Sequence, residues 1–172
     1  MYTDKIKYWV IDIDGTMTDG GLYYDEHGNE IKKFSTKDAA GFFAAHQLKM
    51  KTIVLTGREC FATLQRMKEL KVDFIFQNII NKKQFLEQFF IENSIGRDEV
   101  AYIGDDLNDL AAMQLAGFVG CPKDSCVEVL EKADYVSNIC GGYGAVRDIM
   151  EYVMRKNSQW EWAIQQIYGA GI

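Results

Sequence analysis

The stretch Tyr8-Trp9-Val10-Ile11-Asp12-Ile13-Asp14-Gly15-Thr16 decides the fold of this chain. Its first four residues are apolar, and a run of this length predicts a buried β-strand over Tyr8–Ile11. Because side chains alternate along a strand, Asp12 and Asp14 can point to the same side at its carboxyl end. A hard cation such as Mg²⁺ is the simplest way to keep two repelling carboxylates there, with one carboxylate free as a nucleophile or as an acid/base. The alternative is an acidic turn that caps the next element.

Five further short apolar runs follow this strand and alternate with helical patterns. They predict strands at Thr52–Leu55, Asp73–Phe76, Ala101–Ile103, Gly117–Gly120 and Tyr135–Val136. The segments between them predict helices over Asp38–Gln47, Glu59–Leu70, Lys82–Asn93, Leu107–Leu115, Ser125–Glu131 and Gly144–Arg155. Such alternation requires right-handed crossovers, so we expect a three-layer, Rossmann-like α/β fold with a parallel sheet and helices on both faces. Ligands of these sheets bind beyond the carboxyl ends of the strands.

One segment interrupts the alternation directly after the first strand. Gly20–Phe34 holds two short runs around a turn that contains a glycine, which predicts a β-hairpin flap. The aromatic residues of the flap would form an apolar edge near the site, which favours contact with a neighbouring subunit. His27 lies at the tip of this hairpin and is expected to be solvated. An aromatic tail over about residues 159–172 is interpreted first as core or interface packing.

The composition is that of an ordinary soluble globular protein. The chain has 172 residues, 48% hydrophobic and 26% charged, with a single proline, so we expect one domain over residues 1–172. A net charge of −6 without a basic block argues against nucleic acid or an anionic membrane as a partner. No stretch approaches the roughly 20 apolar residues of a membrane span, and a cytoplasmic location follows as the default expectation. The four scattered cysteines are expected to be reduced thiols.

The fourth predicted strand supplies further acidic residues. It runs into Gly104-Asp105-Asp106-Leu107-Asn108-Asp109, so its carboxylates converge with the pair after the first strand on one edge of the sheet. Asp105 is the natural metal ligand of this loop, and Asp109, one helical turn later, can support the site from behind. Asp106 can either support the site or act as a helix N-terminal charge favoured by the helix dipole.

Two polar motifs are suited to an anion. The second strand ends in Thr56-Gly57-Arg58, which presents a hydroxyl and a glycine amide where a helix begins, the usual geometry for holding a phosphate oxygen. Lys82 starts the next helix and is suited to neutralising the charge of a phosphoryl group. A solvated lysine at a helix start is the alternative interpretation.

In this order, the motifs D-x-D-G-T, T-G-R, N-K and G-D-D-x-x-D resemble those of the haloacid dehalogenase superfamily of phosphotransferases. The resemblance covers nearly the whole chain and implies that Asp12 attacks phosphorus in line and becomes an aspartyl phosphate. Asp14 would protonate the leaving alcohol and then activate water. Mg²⁺ would be bound by the Asp12 carboxylate, the main-chain carbonyl of Asp14 and Asp105. The residues implied to hold the phosphate are Thr56, Gly57 and Lys82.

The intervals after the first two motifs are too short for the cap domain that many members of this superfamily carry, so a cap-free core is implied. Thr18-Asp19-Gly20 and the segment Gly141–Asp148 resemble one subgroup, the 3-deoxy-D-manno-octulosonate 8-phosphate phosphatases and their sugar-acid relatives. This resemblance implies a phosphorylated keto-sugar acid as substrate and a homotetramer in which flaps and tails complete neighbouring sites. Arg58, with Arg66 eight residues later, is expected to bind the carboxylate of the substrate, because a guanidinium forks onto such a group. A place on the helix surface is the alternative for Arg66.

The subgroup leaves other functions open. Its nine-carbon members, which act on N-acylneuraminate 9-phosphate or a deaminated analogue, often have a glutamate at the position of Arg58, so this residue favours the eight-carbon acid. A non-enzymatic phospho-receiver domain also places Asp, Thr and Lys around Mg²⁺, but it lacks an acid such as Asp14 two residues after the phosphoacceptor. A silent regulatory module is the remaining alternative, and the intact acidic motifs argue against it.

Overall fold

Eight short strands form two sheets in the computed structural model, which describes residues 3–169. In chain order they are β1 (Tyr8–Ile11), β2 (Tyr23–Tyr24), β3 (Glu30–Ile31), β4 (Lys51–Leu55), β5 (Phe74–Phe76), β6 (Val100–Ile103), β7 (Phe118–Cys121) and β8 (Tyr135–Val136). Six of them form a parallel sheet in the order β5-β4-β1-β6-β7-β8, and β2 pairs antiparallel with β3. The strand that opened the sequence argument therefore lies at the centre of the main sheet.

Helices cover both faces of the main sheet. They are α1 (Ala39–Gln47), α2 (Phe61–Glu69), α3 (Lys82–Glu92), α4 (Leu110–Met113), α5 (Val127–Leu130), α6 (Ala145–Lys156) and α7 (Trp160–Tyr168). On one face, Trp9 of β1 shares a buried cluster with Phe42 of α1 and Trp160 of α7. On the other face, Val10 shares a second cluster with Leu86 of α3. Alternate residues of β1 thus face two cores, which confirms the predicted α/β fold with a parallel sheet between helical layers.

The predicted strands agree with the observed ones to within one residue at each end, but three predicted helices are longer than those observed by three residues or more. The helix expected over Glu59–Leu70 is the shorter α2, the one expected over Leu107–Leu115 is the single turn α4, and the one expected over Ser125–Glu131 is the single turn α5. Directly before α4 the chain forms tighter turns, in which the N–H groups of Asp109 and Leu110 donate to the carbonyls three residues earlier, at 2.9 and 3.3 Å. The loop that leads into these turns is held by the Asp109 carboxylate, which accepts the backbone N–H groups of Asp105 and Asp106 at 3.1 and 3.4 Å.

The predicted flap is the hairpin β2–β3. Asp25 closes its turn, since its carboxylate accepts the backbone N–H groups of His27 and Asn29 at 2.9 and 2.8 Å. The side chain of His27 is 74% exposed, as expected for the tip of a hairpin. The apolar side chains of this flap are about half exposed: Leu22, Tyr23, Tyr24 and Ile31.

Most of the predicted aromatic tail is the helix α7. Within α7 the side chain of Trp160 is buried, whereas that of Trp162 is 52% exposed. The last three residues of the predicted tail, and the first two of the predicted domain, lie outside the described residues. Within residues 3–169, no helix has the length and apolar character that crossing a bilayer demands.

Candidate active site

Three carboxyl groups meet at the carboxyl edge of the main sheet. Asp12 follows β1, while Asp105 and Asp109 lie in the loop after β6, and one ligand oxygen from each lies within 4.8 Å of the others. The backbone N–H of Asp12 donates to the carbonyl of Ile103 at 2.9 Å, which keeps Asp12 in register with β6. Adjacent parallel strands therefore bring together acidic residues that lie about 90 positions apart in the chain.

Lys82 lies between two of these carboxyl groups. Its Nζ is 2.6 Å from Oδ1 of Asp12 and 2.6 Å from Oδ1 of Asp109, and its side chain is 1% exposed. The residue begins α3, whose first turn is capped by Asn81, because the Asn81 side chain accepts the N–H of Gln84 at 3.1 Å. The start of α3 therefore places the ammonium group of Lys82 among the carboxylates, where it is shielded from solvent.

The protonation chemistry of this cluster reflects its burial. Burial raises the pKa of the Asp12 carboxyl, and the charge of Asp109 raises it further, while the Lys82 ammonium opposes the rise. Burial also raises the pKa of Asp105 to about 7, against the hydrogen bond that Thr16 Oγ1 donates to it at 2.7 Å. Three carboxyl groups beside one ammonium group leave an excess of negative charge in a buried place. Such a donor set of oxygens fits a divalent cation such as Mg²⁺.

Asp109 differs from the other two acids because both of its oxygens already have donors. Oδ1 accepts from Lys82 Nζ and from the buried hydroxyl of Tyr102, the latter at 2.7 Å, and Oδ2 accepts the two backbone N–H groups of the loop described above. The oxygens that remain for a cation are those of Asp12 and Asp105. Asp106, by contrast, is exposed, and its Oδ1 accepts the N–H of Leu107 at 2.8 Å.

Two glycines leave room for these carboxylates. Gly15 has a φ of +92°, and a Cβ added there would lie 2.0 Å from Oδ2 of Asp105. A Cβ on Gly104 would lie 2.5 Å from Oδ2 of Asp109. The glycine of the D-x-D-G-T motif is therefore required both for its left-handed backbone and for the close approach of the second acidic loop.

Asp14 contacts a different set of partners from Asp12. Its Oδ1 is paired with Nζ of Lys32 from the flap, and its Oδ2 accepts a hydrogen bond from Thr56 Oγ1 at 3.2 Å. Thr56 is buried, and its Oγ1 also accepts the N–H of Arg58 at 3.3 Å, while Gly57 between them is partly exposed. The T-G-R motif after β4 thus stands beside Asp14, as expected for strands that are neighbours in the sheet.

The two arginines expected to bind a carboxylate have separate partners. Nε and Nη2 of Arg58 lie 3.3 and 3.1 Å from Oε2 of Glu30 in the flap. Nη1 of Arg66 lies 3.1 Å from Oε2 of Glu69, and its Nη2 donates to the carbonyl of Ser35 at 3.4 Å. Within residues 3–169, the two guanidinium groups share no partner.

Sequence reasoning did not identify Lys32 and Glu30 as part of this edge. Their exposure alternates with that of Ile31 and Lys33, so both charged side chains turn inward while the isoleucine turns outward. The signal that would have identified them is this alternation along residues 30–33, in which the charged side chains of Glu30 and Lys32 take the face that apolar residues usually occupy.

Comparison with known proteins identifies the family of this chain. The family model of haloacid dehalogenase-like hydrolases matches residues 74–140. The 3-deoxy-D-manno-octulosonate 8-phosphate phosphatase of Escherichia coli K12 is 30% identical over 151 residues, which cover 88% of this chain and 80% of that relative. The chain belongs to the haloacid dehalogenase-like hydrolases.

Solved structures of the family share the whole fold. The 3-deoxy-D-manno-octulosonate 8-phosphate phosphatase of Moraxella catarrhalis, in complex with magnesium, phosphate and 3-deoxy-D-manno-octulosonate (KDO), is 32% identical with a TM-score of 0.91, covering 96% of this chain and 95% of that one. The cobalt-bound enzyme from Haemophilus influenzae is 27% identical with a TM-score of 0.88, covering 94% of each chain. The resemblance drawn from the motifs is confirmed, and the chain is a phosphatase of the haloacid dehalogenase type.

Proposed function

We propose that this phosphatase hydrolyses the phosphomonoester of a phosphorylated keto-sugar acid, 3-deoxy-D-manno-octulosonate 8-phosphate, with Mg²⁺ as cofactor. The observation that carries the proposal is the buried contact of Lys82 with Asp12. Asp105 lies beside this pair, and Asp14 follows Asp12 by two residues. The Moraxella relative, whose structure contains magnesium, phosphate and KDO, supports the choice of substrate.

Asp12 is the nucleophile in this proposal. One oxygen of its carboxylate is held by Lys82, which leaves the other oxygen to attack phosphorus in line with the ester bond. The P–O bond to the sugar breaks, and the phosphoryl group becomes attached to Asp12. The Lys82 ammonium offsets the charge of the transferred group. Mg²⁺, held by Asp12, Asp105 and the main-chain carbonyl of Asp14, supplies Lewis-acid stabilisation of the phosphoryl oxygens when bound.

Asp14 serves both halves of the reaction. In the first half its carboxyl group gives a proton to the departing sugar oxygen, and in the second its carboxylate takes a proton from the water that attacks the aspartyl phosphate. Inorganic phosphate leaves, and Asp12 is regenerated. Thr56 Oγ1 and the N–H of Gly57 hold phosphoryl oxygens beside Asp14. The Thr56 hydroxyl has a single proton, which it donates to Asp14 Oδ2 at 3.2 Å in the free site, so it turns to the phosphoryl group when substrate binds and leaves that oxygen of Asp14 free to carry the catalytic proton.

Arg58 is the proposed contact for the sugar-acid carboxylate. Its side chain is 42% exposed, and its guanidinium already binds one carboxylate, that of Glu30. Arg66 is the second proposed contact. The half-exposed apolar residues of the flap support a homotetramer, in which neighbouring flaps cover these sites. We also propose that this phosphatase acts in the cytoplasm, in lipopolysaccharide biosynthesis.

The test compares kcat/KM for octulosonate 8-phosphate with kcat/KM for the two nine-carbon 9-phosphates, in Mg²⁺ and in excess chelator. We expect a preference of about tenfold or more for the eight-carbon substrate and loss of turnover in chelator. Asp12→Asn should abolish activity because an amide does not form the phosphoenzyme. No turnover of any sugar phosphate, or full activity in Asp12→Asn, would contradict the mechanism. A preference for a nine-carbon acid would replace the substrate and leave the mechanism in place.

A further inference from the structure

The flap carries a buried ammonium group that the mechanism above does not use. The side chain of Lys32 is 2% exposed, although its neighbours in the chain, Ile31 and Lys33, are about half exposed. Taking an ammonium group out of water costs several kcal/mol unless it is paired. A hairpin with two residues in each strand has little apolar packing to offset that cost. Lys32 is therefore held by specific partners and not by the flap itself.

Those partners are two carboxylates, one in the flap and one after β1. Nζ of Lys32 is paired with Oδ1 of Asp14 and lies 3.0 Å from Oε1 of Glu30. In the free site Thr56 donates to the second oxygen of Asp14, so the carboxylate is held at one oxygen by the flap and at the other by the sheet. Once Thr56 turns to the phosphoryl group, the contact with Lys32 still orients the carboxylate.

Glu30 is in turn held in place from its far side. Its Oε2 accepts from Nε and Nη2 of Arg58, and its side chain is 10% exposed. A continuous series of ionic contacts thus runs from Asp14 through Lys32 and Glu30 to Arg58. These contacts connect the flap to the T-G-R motif and restrict the orientation of the Lys32 side chain.

We infer that Lys32 is a positioning residue, which docks the flap onto the catalytic edge and holds the Asp14 carboxyl group in the orientation that protonates the leaving sugar oxygen. The inference rests on the proposed function of Asp14 and deepens it. A positioned general acid accelerates such a step by roughly 10²- to 10⁴-fold, and it does so only in a well-defined geometry. Loss of Lys32 should therefore harm those substrates whose leaving group needs a proton.

The experiment compares two leaving groups. The alkoxide of a sugar phosphate is strongly basic and must be protonated as it leaves, whereas the phenolate of p-nitrophenyl phosphate leaves without a proton. The ratio kcat/KM reports steps up to transfer of the phosphoryl group. In Lys32→Ala we expect kcat/KM to fall about 30- to 100-fold for the sugar phosphate and less than about threefold for the aryl phosphate.

Three further variants make the result specific. Lys32→Met keeps the buried aliphatic stem without the charge, so it should fold like the parent and show the same selective loss as the alanine variant. Lys32→Arg retains a cation and should recover about tenfold or more of the lost activity on the sugar phosphate. The matched control is Lys33→Ala. Lys33 is 47% exposed, and its Nζ lies 3.3 Å from Oδ2 of Asp19. The kcat/KM of this variant should stay within about twofold of that of the unmodified protein on both substrates.

Equal losses on the two substrates would assign Lys32 a merely structural role and overturn the inference. An unchanged kcat/KM in Lys32→Met on the sugar phosphate would overturn it as well. Failure of the proposed function looks different, because the unmodified protein would then fail to turn over either phosphate ester. The two failures are therefore distinguished by the unmodified protein alone.

Discussion

Two lysines reach the candidate active site from different elements, and their surroundings differ. Lys82 comes from the start of α3 and lies between Asp12 and Asp109, whose side chains are 4% and 0% exposed. Lys32 comes from the flap and contacts Asp14, which is 27% exposed. The ion pairs of Asp12, the proposed nucleophile, are buried by the packed sheet and helices, whereas that of Asp14, the proposed acid, is formed by a short hairpin at the edge of solvent. Asp12 is thus held by the core of the fold, and Asp14 by the flap lysine together with the hydroxyl of Thr56.

The largest expected effect separates the two lysines by stability. Lys82→Ala leaves two buried carboxylates without their cation, and we expect it to lower the free energy of unfolding by about 3–5 kcal/mol. Lys32→Ala should lower it by about 1 kcal/mol or less, since Asp14 can turn to water. Urea denaturation of both variants, without added metal, measures the difference. Equal losses would show that the flap is as much a part of the core as α3 is.

The next comparison replaces a glycine in each region. Gly15→Ala places a Cβ 2.0 Å from Asp105 Oδ2, so we expect it to displace this acid and to lower kcat about 100-fold. Gly28 at the flap turn also has a positive φ, of +79°, but within the described part of the chain no atom beyond its two chain neighbours lies within 4 Å of a Cβ added there. Both variants carry a backbone strain of about 1 kcal/mol. Gly28→Ala should therefore keep its activity within about twofold, and a comparable loss there would mean that strain, and not crowding of Asp105, explains the result.

A smaller effect is expected at Arg58, the proposed contact for the carboxylate of the substrate. Arg58→Ala should lower kcat/KM about 10- to 30-fold for a sugar phosphate that carries a carboxylate, because one charge-assisted contact is lost. A sugar phosphate of similar size without the carboxylate should lose less than about threefold, through the disturbed Glu30 alone. Steady-state kinetics on the two esters provide the test. The same fold loss on both would remove Arg58 from carboxylate recognition.

The last prediction concerns the pH dependence of stability, at a buried acid outside both lysine clusters. Asp38 accepts the N–H of Arg147 at 2.9 Å, but its Oδ2 has no hydrogen-bond partner within residues 3–169, and burial raises its pKa to about 6. Since the pKa is higher in the folded chain than in the unfolded one, this group stabilises the fold below about pH 4 and the contribution is lost as pH rises through about 6.

Asp38→Asn removes that titration, so the stability of the variant relative to the parent should rise by about 1–3 kcal/mol between pH 4 and pH 7. Urea unfolding at the two pH values measures it. A difference that does not change with pH would show that Asp38 stays charged in the fold.

The motifs predicted the positions of the buried cluster well, for a physical reason. Asp12 and Asp105 directly follow apolar runs that have the length of strands, and parallel strands end at a common edge, so their meeting could be read from the order of the elements. Lys82 was placed at a helix start, but its two contacts of 2.6 Å depend on how deeply α3 packs on the sheet. The boundary of α4 was missed because the residues just before Leu110 form turns with hydrogen bonds to the carbonyl three residues earlier, and an apolar pattern does not distinguish such turns from an α-helix.

By itself, the sequence determined the parallel α/β fold and the edge where the acidic motifs gather, because hydrophobic periodicity and the alternation of elements along the chain are local and repetitive signals. Only the tertiary structure decided which cation accompanies which acid: Lys82 pairs with Asp12, and Lys32 with Asp14. Lys82 lies 70 positions from Asp12, and Lys32 lies 18 positions from Asp14. Whether each pair meets depends on how deeply α3 packs on the sheet and on the register of the hairpin. Both are set by packing of the whole chain rather than by any one stretch of it.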